Sequence, residues 1–81
     1  MIVSVTFYSY FKELTGTPAA TVDLPTSASL GELHDELIAR FPRLGAMRKS
    51  TLLAVGVEYQ NASYALRPGD EVALFPPVQG G

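Results

Sequence analysis

The sequence contains no cysteine, and this absence removes several kinds of chemistry at once. Disulfides, thiolate metal sites, cysteine nucleophiles and sulfur carried on a side chain are all excluded. The one histidine, His34, is followed by Asp35 and Glu36, but adjacent residues of a helix do not face each other and so form no acid–base pair. We interpret His34 as a partly buried packing residue. The side chains offer no typical catalytic centre, and we expect this chain to bind no metal or cofactor.

Long apolar runs and blocks of like charge are also missing. Six Lys and Arg stand against eight Asp and Glu, and no run of cations is longer than Arg48-Lys49. Nucleic-acid binding through phosphates needs a basic face, so we expect no nucleic-acid partner. No stretch approaches the ~20 apolar residues that span a bilayer, and the first residues lack the charged region of a signal peptide. We therefore expect a cytoplasmic protein without a membrane partner.

The chain is short and apolar, which favours one folded domain. Hydrophobic residues make up 47% of its 81 residues, far more than in disordered chains. Alternation and β-branched content predict strands at residues 2–8, 20–24, 52–57, 63–66 and 71–75. Residues 10–14 predict a short helical turn, 43–51 a loop, 58–62 a turn, and 67–70 a tight turn around Pro68-Gly69.

One main helix is predicted to begin at Ser29. Ser29 and Glu32 form the capping-box pattern of a helix start, and Pro42 ends the helix. Its apolar stripe consists of Leu30, Leu33, Leu37, Ile38 and Phe41. The fold class is therefore α+β, with one mixed sheet packed on a single main helix. We expect a domain at residues 1–75 and an extended tail at residues 76–81.

The outer face of the sheet is a candidate binding surface. If Val72 and Leu74 face the helix, Ala73 and Phe75 point the other way, and Phe75 is expected to be exposed. Leu52 and Ala54 share that outer side if Leu53, Val55 and Val57 face the core. An exposed apolar patch of this kind indicates an interaction surface, although scattered surface apolar residues are an equally open interpretation.

The last six residues, Pro76-Pro77-Val78-Gln79-Gly80-Gly81, are the other candidate site. Two prolines cannot continue a sheet ladder, and six residues at ~3.3 Å each reach ~20 Å. The Gly80-Gly81 pair lacks Cβ atoms, so it can pass through a narrow channel and present an unhindered carboxylate. Once adenylated by another enzyme, that carboxylate can accept sulfur as a thiocarboxylate. A merely flexible terminus is the alternative.

These residues resemble the small sulfur-carrier subunits of molybdopterin synthase, a ubiquitin-like β-grasp family. The strongest match is the ending Asp70–Gly81, and weaker ones are Phe7, Phe11–Leu14, Gly16 and Leu53–Val55. Lys12 stands where the family more often has arginine, and Gly56 where it more often has asparagine.

The resemblance implies a β-grasp fold and a sulfur-transfer role. A ubiquitin-activating-like adenylyltransferase would use ATP to adenylate Gly81, which would then become a thiocarboxylate. The tail (Val78, Gln79 and Gly80) would enter the large synthase subunit, whose side chains would transfer the sulfur to cyclic pyranopterin monophosphate. The resemblance also implies a heterotetramer, with Phe75, Pro76, Pro77 and Val78 at the subunit interface. The alternation of the strands adds Ala73, Leu52 and Ala54 to the expected interface.

Three other functions fit the same residues. A sulfur carrier for the thiamine thiazole ring shares the Gly-Gly end but usually lacks the Phe75-Pro76-Pro77 exit. A ubiquitin-like modifier would join Gly81 to lysine side chains of other proteins. A non-covalent β-grasp interaction module would need no Gly80-Gly81 at all.

Overall fold

The computed structural model describes residues 1–77 as one sheet covered on one face by helices. The strands are β1 (Ile2–Phe7), β2 (Ala19–Asp23), β3 (Leu52–Val55), β4 (Glu58–Tyr59) and β5 (Glu71–Phe75). The helices are α1 (Phe11–Thr15), α2 (Leu30–Arg40) and a 3₁₀ helix (Pro42–Ser50). Residues 78–81 of the predicted tail lie outside the described part of the chain.

The sheet is mixed, in the order β2-β1-β5-β3-β4. β1 runs parallel to β5 at its centre, and the other neighbouring pairs are antiparallel. A parallel pair needs a long crossover, and here the chain between β1 and β5 supplies it with β2, α2 and the rest of the fold. The predicted α+β class with a mixed sheet and one main helix is confirmed.

The start of α2 follows from its sequence. The Ser29 hydroxyl accepts a hydrogen bond from the Glu32 backbone N–H at 3.1 Å, and the Glu32 carboxylate accepts one from the Ser29 N–H at 3.4 Å. This capping box satisfies two backbone donors that no helical carbonyl can reach. The predicted helix start is therefore confirmed.

The core lies between α2 and the inner face of the sheet. Eleven of its side chains are almost fully buried: Val3, Val5, Phe7, Phe11, Val22, Leu30, Leu33, Leu37, Leu44, Val72 and Leu74. The ring of Phe7 meets that of Phe41 edge to face at 5.6 Å, which ties the end of β1 to the end of α2. The predicted helix stripe and the inward orientation of Val72 and Leu74 are confirmed.

The predicted loop at residues 43–51 is wrong, since this segment forms the 3₁₀ helix Pro42–Ser50. Pro42 suits the first helical position because its fixed φ is already helical. Leu44 is fully buried and Met47 packs against the core, so tertiary contacts order a segment whose composition is polar. Local composition alone did not indicate those contacts.

The expected strand at residues 63–66 and turn at 58–62 are also wrong. A two-residue loop, Gly56-Val57, joins β3 to β4, with Gly56 at φ +62°. This places Val57 at the tip of a hairpin, where it is fully exposed instead of facing the core. Residues 62–64 accept hydrogen bonds from the start of α2, at 2.8 Å from Leu30 N to Tyr64 O and 2.9 Å from Gly31 N to Ala62 O.

Candidate interaction face

The candidate site is the part of the sheet's outer face that lies beside the end of β5, where the chain continues toward its last residues. Leu52 pairs with Phe75 and Ala54 with Ala73, so these four side chains share one face as the alternation predicted. Val72 and Leu74 lie on the opposite, buried face. These side chains therefore lie next to Phe75, the residue at which the chain leaves the sheet.

Phe75 is half-buried, so the expectation that it is exposed is wrong. Its ring stacks on Tyr8 with centroids 4.7 Å apart and planes 9° apart. The Tyr59 ring meets it nearly edge on, at 6.3 Å and 78°. Both geometries are ones that aromatic pairs prefer. Tyr8, Tyr59 and Phe75 form a group that we call the aromatic trio.

The pairing of strands explains the aromatic trio. Tyr8 follows β1, and its backbone N–H donates to the Leu74 carbonyl at 3.1 Å, so its side chain stands beside that of Phe75. Tyr59 pairs with Ala54 and so lies on the same outer face. Neither tyrosine was predicted as a site residue from the sequence. The outward position of Tyr8 in the β1 alternation was the available signal, but its closeness to Phe75 depends on the strand order.

Ala54 is only 6% exposed, although it lies on the outer face, so it does not belong to an exposed patch. Leu52 and Ala73 are half-buried. Pro76 and Pro77 are also half-buried and follow Phe75 directly. The exposed aromatic surface of this face is supplied by Tyr8, 45% exposed, and Tyr59, 66% exposed.

A shallow groove of about 250 Å³ adjoins the aromatic trio. Its lining residues are Thr6, Tyr8, Gly56, Val57, Glu71, Val72 and Ala73. It contains one carboxylate and no histidine, so its chemistry suits contact with another molecule better than catalysis. Within residues 1–77, no group of three or more His, Asp and Glu side chains is placed to bind a metal.

The structure keeps His34 away from this face. It is 6% exposed in α2, and its Nε2 is buried without a hydrogen-bond partner in the described part of the chain. Burial lowers its pKa below the usual value, nearby Arg48 lowers it further, and Asp35 opposes the shift. The neutral, buried ring agrees with a packing role.

The other predicted site residues remain as follows. Val78, Gln79, Gly80 and Gly81 lie outside the described residues. Lys12 is exposed on α1, and Gly56 turns the β3–β4 hairpin, so neither departure from the family pattern lies inside the aromatic trio. Within residues 1–77, no helix is both long and apolar enough to cross a membrane.

A mixed sheet with a parallel central pair and one main helix across its inner face is the ubiquitin-like β-grasp fold. SAMP1 from Haloferax volcanii superposes with a TM-score of 0.90 at 26% identity over 100% of both chains. The chain belongs to the ThiS family, whose profile matches residues 5–81.

Two molybdopterin synthase subunits are similar to the chain over almost its whole length. The chain is 34% identical over 79 residues to the molybdopterin synthase sulfur carrier subunit of Arabidopsis thaliana, covering 98% of this chain and 82% of that protein. It is 33% identical over 82 residues to the human protein of the same name, covering 98% and 93%. The predicted resemblance to this family is confirmed.

Proposed function

We propose that this chain is the sulfur-carrier subunit of a molybdopterin synthase and that Gly81 carries the sulfur. The observation that carries the proposal is that β5 ends at Phe75, on the outer face, and leads through Pro76 and Pro77 toward Gly80-Gly81. The names of the Arabidopsis and human relatives support the same function. The sequence also offers no cysteine as an alternative carrier of sulfur.

The proposed chemistry takes place on the Gly81 carboxylate. A ubiquitin-activating-like enzyme joins this carboxylate to AMP from ATP and releases pyrophosphate. Hydrosulfide, the sulfur donor in this step, attacks the same carbon and forms a C–S bond, the C–O bond to AMP breaks so that AMP leaves, and the S–H proton passes to water. The product is a thiocarboxylate, which is a better nucleophile than the original carboxylate. This chain binds no cofactor in the proposal, since ATP belongs to the activating enzyme.

The second proposed step is delivery of that sulfur in the large synthase subunit. The tail of Val78, Gln79, Gly80 and Gly81 enters its active site, where the large subunit's side chains transfer sulfur to cyclic pyranopterin monophosphate. The proposed contact surface consists of Tyr8, Leu52, Ala73, Phe75, Pro76 and Pro77. A preformed aromatic face suits such docking because aromatic side chains carry much of the binding energy at protein interfaces.

Intact-mass measurement tests the first step. The protein is incubated with its activating enzyme, ATP and a sulfur donor, and the expected change is replacement of one oxygen by one sulfur at Gly81. The matched control carries one alanine after Gly81, which moves the carboxylate by ~3.3 Å and adds a Cβ. The control is expected to remain unmodified. An unchanged mass of the normal chain with active enzyme would contradict the proposal.

A ubiquitin-like modifier is a second candidate, because a neighbour of the same fold is the small archaeal modifier protein 1 of H. volcanii. That function requires an amide bond between Gly81 and a lysine of another protein. Protease digestion and peptide sequencing of cell extract would reveal such joined peptides. If Gly81 is found as thiocarboxylate and never joined to lysine, the carrier function alone remains.

A further inference from the structure

The strand directions define two ends of the molecule. β1 and β5 are parallel, so both finish at one end, and β3 begins there because Leu52 pairs with Phe75. α2 also finishes there, since Phe41 contacts Phe7. We call this the tail end. The opposite end, where β5 begins at Glu71, is called the start end.

Charged side chains are divided unequally between these two ends. Five of the six Lys and Arg residues lie at the tail end, on α1, at the end of α2 or in the 3₁₀ helix: Lys12, Arg40, Arg43, Arg48 and Lys49. All five are exposed. The start end instead carries Asp23, Glu32, Glu58, Asp70 and Glu71, against Arg67 and the N-terminal ammonium, which pairs with Asp23. The carboxylates on the tail-end side are fewer: Glu13 lies on α1, and Asp35 is paired with Arg48. A net charge of −2 therefore conceals a charge separation along the strands.

Some of the tail-end cations already have partners within the domain. Arg40 donates to the Thr21 carbonyl at 2.8 Å, and Arg43 donates to the Glu13 carbonyl at 3.3 Å. Arg48 forms an ion pair with Asp35. Within residues 1–77, Lys12 and Lys49 make neither an ion pair nor a side-chain hydrogen bond.

Lys49 has the more informative position of the two lysines. It lies in the 3₁₀ helix three residues before Leu52, whose strand partner is Phe75. Its uncompensated charge is therefore close to the point where the chain leaves the sheet. The 3₁₀ helix is held in place by buried Leu44, so this charge is presented by an ordered segment of the fold.

We propose that the uncompensated cations of the tail end dock on an acidic rim around the channel of the large synthase subunit that receives the tail. This proposal rests on the proposed function above. An acidic rim attracts the tail end and repels the start end, so the charge separation orients the carrier with its tail end toward the large subunit during the encounter. The aromatic trio then makes the short-range contacts, and the charges mainly raise the association rate.

The test compares two charge reversals that change the net charge equally. Lys49→Glu places the reversal at the tail end, and Arg67→Glu places it at the start end. Both side chains are exposed, so neither variant removes a core contact. Association with the purified large subunit is followed by stopped-flow fluorescence at ~0.1 M salt. The Debye length is then about 10 Å, shorter than the ~17 Å length of a five-residue strand.

Lys49→Glu is expected to slow association about three-fold or more, and Arg67→Glu less than about 1.5-fold. Lys12→Glu, on a different element of the same end, is expected to behave like Lys49→Glu. At ~1 M salt, where the Debye length is about 3 Å, all rates are expected to converge. Equal slowing by the Lys49 and Arg67 variants, or no slowing by either, would overturn the proposal.

The failure of docking and the failure of the proposed function give different results. If the unaltered carrier acquires sulfur and binds the large subunit, but all charge variants associate equally fast, only the acidic-rim proposal is wrong. If the unaltered carrier does not bind the large subunit at any salt concentration, the proposed function is wrong as well. Urea unfolding of each variant confirms that the compared proteins are equally folded.

Discussion

Replacement of Phe75 by alanine is expected to lower the free energy of unfolding by about 2 kcal/mol. Removal of a fully buried phenylalanine ring costs roughly 3–5 kcal/mol. Phe75 is half-buried, which reduces that figure by about half. That leaves about 1.5–2.5 kcal/mol, and loss of the stack on Tyr8 at 4.7 Å and of the edge contact with Tyr59 at 6.3 Å keeps the expected value at about 2 kcal/mol rather than at the lower limit.

Urea unfolding followed by circular dichroism measures this loss, with the dependence on urea checked for each variant. Phe75→Leu is the matched control, because it keeps much of the apolar volume but removes both ring contacts. Its expected loss is about 1 kcal/mol. A loss below ~0.5 kcal/mol for Phe75→Ala would show that the aromatic trio does not form in solution, and the explanation of the half-buried ring would then be wrong.

Three further outcomes are expected. Phe75→Ala weakens binding to the large synthase subunit by ~2 kcal/mol or more in calorimetric titration, as for an aromatic anchor; a loss below ~0.5 kcal/mol would place Phe75 outside the main binding contacts. Ser29→Ala lowers stability by about 1 kcal/mol in urea unfolding, because the helix cap at 3.1 Å is lost, whereas Ser63→Ala, outside any helix cap, costs less. Because the pKa of His34 is lowered in the folded protein, the unfolded chain binds a proton at this imidazole more readily, and stability falls as pH drops below the unfolded pKa of 6.5. His34→Leu is expected to remove this part of the pH dependence in urea unfolding, and an unchanged pH profile would show that His34 is not its source.

The sequence predicted the features that depend on local repetition. Alternation in residues 71–75 separated buried Val72 and Leu74 from outward Ala73 and Phe75, and the structure has this arrangement. The capping box located the start of α2 because both of its side chains lie within one turn of the helix. In each case the physical cause lies within a few residues of its effect.

Features that depend on distant neighbours could not be predicted in this way. Phe75 was expected to be exposed because the alternation gives the direction of a side chain but not what covers it. The Phe75 ring is partly buried by Tyr8, which the parallel β1–β5 pairing places beside it, and by Tyr59, which the β3–β4 hairpin places beside it. The hairpin itself was missed because a single Gly56 at positive φ shortened the expected strand and turned Val57 outward.

The charge separation was hidden from the sequence for a related reason. Cations and carboxylates are interspersed along the chain, so no run of one sign is visible, and only the strand directions place most cations at one end.

A carrier that must be bound and released benefits from combining an aromatic face with charges at its border. A preformed aromatic face needs little side-chain ordering on binding, which limits the entropy cost. Charges at its border raise the association rate without adding buried ion pairs, whose desolvation would cancel much of their attraction. On this reasoning affinity depends mainly on Phe75 and its neighbours, and speed of encounter on Lys49, so substitutions at the two places should act on the dissociation and association rates respectively.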